Sequence, residues 1–121
     1  MKIGITSTGK DLDAQVDSRF GRCKYFLIID TETMDFESIQ NENALASGGA
    51  GIQAAQTIAR AGVKAVLTGN VGPNAFQTLK AAGVKVITDV SGSIKEAVEK
   101  YKKGEFKESE TSTVGSHFGR N

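Results

Sequence analysis

The sequence is short of the groups that most often carry chemistry. One cysteine, Cys23, leaves nothing for an intrachain disulfide and too few thiolates for an all-protein cysteine-rich metal site, and it fits a reducing cytoplasm. One histidine, His117, lies far from every patterned segment, so no serine, histidine and acid arrangement can be placed on rigid elements, and an enzyme is not the expectation. Neither charge sign dominates: 15 Lys and Arg face 14 Asp and Glu. No basic field is available to drive sequence-independent binding, which excludes nucleic acid as the expected partner. No apolar run approaches the roughly 20 residues that span a bilayer, and Met1 leads directly into a strand-like segment, so neither membrane insertion nor secretion is expected.

What is present is pattern. At 121 residues the chain suits one hydrophobic core. Ile3 and Ile5 alternate with polar neighbours, Tyr25–Ile29 is a continuous apolar run suited to a strand covered on both faces, and Phe36 and Ile39 mark a strand returning antiparallel. From Gly49 the period changes to helical, with Ile52, Ala55, Ile58 and Ala59 on one face and Gly62 as the stop. Val63–Leu67 reads as a strand. A second helix starts at Pro73, with Ala75, Phe76, Leu79 and Ala82 on one face, and stops at Gly83 before the strand Val84–Thr88. Ser93-Ile94-Lys95-Glu96 is a capping-box pattern opening a last helix that ends near Gly104. The expected class is α/β, in the order β-β-β-α-β-α-β-α, followed by a polar tail expected to be flexible because it offers little apolar surface.

Four segments carry candidate chemistry. Gly4-Ile5-Thr6-Ser7-Thr8-Gly9-Lys10 begins like a phosphate-binding loop, but Asp11 replaces the hydroxyl residue that would hold magnesium, and Gly4 lies inside the strand; a turn is expected. Ser47-Gly48-Gly49-Ala50-Gly51 precedes the first helix, and Gly69-Asn70-Val71-Gly72-Pro73 precedes the second, so two helix N-termini would face the carboxyl edge of a parallel sheet, where backbone N–H groups can meet an anion. As plain structure, the same loops are turns with a serine cap. Ser18-Arg19-Phe20-Gly21-Arg22-Cys23 gathers two guanidinium groups, an aromatic ring and a thiol, for oxyanion contact or, as plain structure, for pairing with Asp13 and Asp17. The candidate ligand-binding residues are thus Arg19, Phe20, Gly21, Arg22, Ser47, Gly48, Gly49, Gly51, Gly69, Asn70, Gly72 and Pro73, with Cys23 and His117 as candidate metal ligands.

Taken together, these motifs resemble the dinitrogenase iron–molybdenum cofactor biosynthesis family, over about residues 1–106, with 107–121 as the tail. The resemblance implies a ribonuclease-H-like three-layer fold with a five-stranded mixed sheet flanked by helices. It also implies a non-catalytic role, carrying a metal–sulfur cofactor of iron–molybdenum or related type, or its precursor, and working with a cofactor-delivery protein. Several members carry a histidine where this chain has Ser47-Gly48-Gly49. A single thiol cannot ligate a four-cysteine cluster, so a preassembled anionic cluster held by N–H groups and arginines fits better. The same loops could instead serve a metal-independent module that binds or senses a small molecule or phosphoryl ligand. Ser116-His117-Phe118-Gly119-Arg120 repeats Ser18–Arg22 with one change.

Overall fold

The computed structural model describes residues 1–42, 44 and 49–113. The elements follow the expected order: β1 (Lys2–Ser7), β2 (Tyr25–Asp30), β3 (Phe36–Gln40), α1 (Ala50–Arg60), β4 (Ala65–Leu67), α2 (Pro73–Ala81), β5 (Lys85–Ile87) and α3 (Ile94–Lys102). They build one mixed sheet in the order β3-β2-β1-β4-β5. β1 and β2 pair antiparallel, as do β2 and β3, whereas β1, β4 and β5 run parallel.

Side-chain alternation divides the core in two. Phe26 and Ile28 of β2, Val66 of β4 and Val86 of β5 pack with Ala54, Ala55 and Ile58 of α1 and with Ala75, Phe76 and Leu79 of α2. Their neighbours Leu27, Ile29, Ala65, Leu67 and Ile87 join Ile3 and Ile5 against Ile94, Ala97 and Val98 of α3. A sheet covered on both faces explains why Tyr25–Ile29 reads as continuous rather than alternating. Each aliphatic side chain buried there contributes roughly 1.5–3 kcal/mol. Gly62 and Gly83 follow the two helices with φ of 75° and 79°, a left-handed conformation in which any side chain would be strained.

Three details depart from the pattern. The buried face of α1 is Ala50, Ala54, Ala55 and Ile58, while Ile52 and Ala59 are only half-buried. Ile52 instead borders a cleft at the start of α1. Ala82 is the exposed C-cap of α2 rather than part of its core face.

The third departure is the segment beyond Phe106, which as far as Thr113 is held rather than loose. Ser109 N–H donates to Val86 O at 2.7 Å, and Ser109 Oγ accepts from Thr88 N–H at 3.1 Å. Thr113 clasps Val71, N–H to O at 3.0 Å and Oγ1 from N–H at 2.8 Å. Lys80 Nζ and Glu108 Oε2 lie 3.0 Å apart alongside. The open edge of β5 offers backbone groups that a hydroxyl-rich segment can satisfy, so docking here needs little apolar surface. His117 lies outside the described residues. Among the described residues no helix is long and apolar enough to cross a membrane.

Candidate functional site

The three parallel strands deliver their following loops to one edge of the sheet. Thr6 and Thr68, both fully buried, pair through their hydroxyl oxygens at 2.9 Å, and Thr6 Oγ1 is 2.7 Å from Asp17 O. The ends of β1 and β4 are thereby tied to the returning loop. That loop is then zipped to the one after β4: Asn70 N–H donates to Ser18 O at 2.7 Å, Phe20 N–H donates to Asn70 O at 3.0 Å, and Asn70 Nδ2 reaches Ser18 O at 3.2 Å. So close an approach requires glycine at 69, where a Cβ would stand 2.7 Å from Ser18 Cα. Gly21 likewise rests on the first turn of α1, where its Cβ would lie 3.1 Å from Gly51 N and Cα.

Between these loops and the two helix starts is a cleft of about 380 Å³. It is lined by Arg19, Phe20, Gly21, Arg22, Gly49, Gly51, Asn70, Gly72 and Pro73 of the residues singled out in the sequence, together with Ile52, Asn74 and Ala75. Gly69 does not line it; its role is the close approach to Ser18. Ser47 and Gly48 lie outside the described residues. Ile52, Asn74 and Ala75 follow directly on the loops already singled out, and the helical geometry of those starts is the signal that could have found them.

Neither α1 nor α2 has a side-chain cap or an acidic residue in its first turn; their N-caps are Gly49 and Gly72. By contrast, α3 carries a complete capping box between Ser93 and Glu96. The first N–H groups of a helix have no intrahelical partner and carry partial positive charge. Gly51, Ile52, Asn74 and Ala75, in the first turns of α1 and α2, all line the cleft. The arginines add full charge. The Arg19 side chain is 66% exposed, with Nε 3.9 Å from Asp17 Oδ1, at the outer limit of an ion pair. Arg22 Nη1 donates to Ala44 O at 2.8 Å. Both arginines also border a second hollow of about 740 Å³ that includes Lys24, Tyr25 and Asn41. Asn41 braces the loop from inside, its Nδ2 donating to Gly21 O at 3.2 Å and Cys23 O at 2.9 Å.

Two residues take up structural rather than ligand positions. Phe20 borders the cleft, but its side chain is 2% exposed and its ring centroid is 5.8 Å from that of Phe26, so it anchors the loop in the core. Cys23 is fully buried, its Sγ 3.4 Å from Phe20 O and 3.9 Å from Asn41 Nδ2. Burial first, and the nearby Asp17 charge second, push its thiol up to about 12. Cys23 thus sits as a neutral thiol in the core and not in the lining of the cleft. Among the described residues no three His, Cys, Asp or Glu side chains are grouped to hold a metal ion. The phosphate-loop-like start is a closed turn: Gly9 N–H donates to Ser7 Oγ at 3.1 Å, and Ser7 Oγ donates to Gly9 O at 2.7 Å. What the cleft offers is therefore cations and backbone donors, suited to an anion.

No curated protein matches the chain. Among solved structures, the apo form of the orange protein from Desulfovibrio gigas is 42% identical, with a TM-score of 0.89 over 92% of this chain and 94% of that one. A candidate NifB protein from Thermotoga is also 42% identical, with a TM-score of 0.77 over 88% and 91%. A candidate dinitrogenase from Methanocaldococcus jannaschii, 20% identical with a TM-score of 0.69 over 92% and 96%, shares the fold. The family model for the dinitrogenase iron–molybdenum cofactor matches residues 1–104. With nearly the whole described chain inside that match, this protein belongs to the dinitrogenase iron–molybdenum cofactor family.

Proposed function

We propose that this protein is a non-catalytic carrier that holds a preassembled, anionic metal–sulfur cofactor or precursor and passes it on unchanged to a delivery partner in the cytoplasm. The observation that carries the reading is the cleft where the Arg19–Arg22 loop meets the uncapped N-termini of α1 and α2. Family membership and the likeness to the orange protein and the NifB candidate support it. Arg19 and Arg22 supply charge; the first-turn N–H groups of α1 and α2 supply directed donors. Inorganic sulfide of a cluster that arrives assembled needs such outer contacts and no protein thiolate.

Anaerobic incubation with iron, sulfide and molybdate or copper, followed by gel filtration, metal analysis and visible absorption, tests this reading. Stoichiometric metal with a charge-transfer spectrum is the expected result. Each charge-assisted contact is worth about 1.5–3 kcal/mol, so replacing Arg19 and Arg22 with Ala should weaken retention at least about tenfold while the melting temperature holds. Colourless, metal-free protein would reject the reading.

A second reading is favoured by the absence of a soft ligand among the cleft's described residues: the same donors suit a phosphoryl or other small anion without metal. Thermal stabilisation of metal-free protein by phosphate esters would select it.

A further inference from the structure

The two outer strands of the sheet differ. β5 is covered along its edge by the strap from Ser109 to Thr113, where Ser109 N–H donates to Val86 O at 2.7 Å. β3, on the opposite side, has no such cover among the described residues. Asn41 N–H donates to Lys24 O and Asp30 N–H to Asp35 O, both at 2.9 Å. The period of two therefore directs the backbone groups of Glu37 and Ile39 to β2 and those of Phe36, Ser38 and Gln40 outward. All of β3 but Ile39 is exposed, Phe36 by 42%, and the strand holds no proline or lysine of the kind that blunts an edge.

This edge runs into the second hollow. Gln40, the last residue of β3, lines it with Asn41, Tyr25 and Lys24, while Arg19 and Arg22 border both the hollow and the cleft. Lys10 Nζ adds a charge 5.6 Å from the centre of the Tyr25 ring. Against these cations stand Asp17 and Glu42, and Asp17 Oδ1 already accepts from Arg19 N–H at 3.0 Å. The balance favours carboxylates, which guanidinium groups take through paired hydrogen bonds.

We propose that the outer edge of β3 and this hollow together dock an extended segment of the protein that receives the cargo, paired through its backbone to Phe36, Ser38 and Gln40 and carrying Asp or Glu side chains to Arg19, Arg22 and Lys24. An added strand draws affinity from main-chain hydrogen bonds and selectivity from its side chains. That the partner receives cargo rests on the carrier reading; the docking surface does not. Because Arg19 and Arg22 border both spaces, carboxylates arriving in the hollow draw on the same guanidinium groups that face the cleft, and docking loosens what the cleft holds.

The probe is a short peptide of alternating threonine and valine that ends in a run of aspartates, with its asparagine counterpart as control. Added to the metal-free full chain, it should shift the amide resonances of Phe36, Ser38, Gln40 and Lys24, and the asparagine counterpart should bind about tenfold more weakly. Ser38→Pro removes one outward N–H without touching the bonds to β2, and should abolish the shifts while the melting temperature holds. Lys24→Ala, which leaves the edge intact, should weaken the aspartate peptide about threefold and not the asparagine one. Shifts absent from Phe36, Ser38 and Gln40, or equal binding of both peptides, would overturn the docking surface. The same shifts on concentrating the protein alone would assign the edge to a second copy and overturn the partner. In protein loaded with iron, sulfide and molybdate, the aspartate peptide should speed release of metal to a chelator severalfold; an unchanged rate would overturn the effect on the cargo. Wild-type protein that retains no cluster ends the carrier reading, and the amide shifts still decide the docking surface.

Discussion

A methyl group added at Gly69 would meet Ser18 Cα at 2.7 Å and Ser18 O at 2.8 Å, backbone atoms that cannot rotate aside. The glycine was visible in the sequence as part of an anion loop, but its reason is a contact with a residue 51 positions earlier, which no local pattern encodes. Cys23 is a parallel case. Its place directly after Arg19-Phe20-Gly21-Arg22 suggested a ligand, whereas the fold buries it beneath Asn41, a residue that no sequence pattern singles out. The burial has a measurable sign. Below pH 9 the thiol is protonated in both folded and unfolded chains; between 9 and about 12 the unfolded chain releases a proton that the folded one keeps, so stability falls as pH rises. The expected slope is about 1.4 kcal/mol per pH unit. It should appear as the difference between denaturant curves of wild type and Cys23→Ala, since other groups that titrate in that range are common to both. A difference independent of pH would show that the thiol ionises freely.

At the scale of elements, the strands and the helix stops were legible because alternation and glycine punctuation act locally. The facing of α1 was legible in part: Ala55 and Ile58 are buried as expected, but Ala50 and Ala54 complete the buried face in place of Ile52 and Ala59. The start of α3 was legible in full. There Ser93 Oγ accepts from Glu96 N–H at 3.1 Å, and Glu96 Oε1 accepts from Ser93 N–H at 3.3 Å. Ser93→Ala should cost about 1 kcal/mol, read as a lowered denaturant midpoint. Those hydrogen bonds to Ser93 lower the Glu96 carboxyl pKa below its ordinary value, so its contribution is present above the carboxylate range and lost as pH falls through it. The Ser93→Ala deficit should accordingly shrink in acid.

Across the whole molecule, the convergence of two helix starts at one sheet edge was legible from topology, since parallel strands bring their loops to the same side; the zipping of the arginine loop onto Asn70 beside them was not. The strap from Ser109 to Thr113 was not, because hydroxyl-to-backbone pairing leaves no periodic trace. Its mechanical link to the cleft is testable. Thr113→Val removes the acceptor for Val71 N–H with little change in shape, and hydrogen exchange at Val71 should accelerate about fivefold, for the loss of about 1 kcal/mol. Unchanged exchange would mean that the strap bears on the edge of β5 alone.

The uncapped first turns of α1 and α2 have a bearing on inheritance. A main-chain amide is the same whichever side chain its residue carries, proline excepted. Substitutions that accumulate at Ile52 or Asn74 can therefore reshape the walls, while the donors themselves persist through descent. A lineage could remake the lining of this cleft by exchanging a few side chains and still keep every backbone donor at the two helix starts.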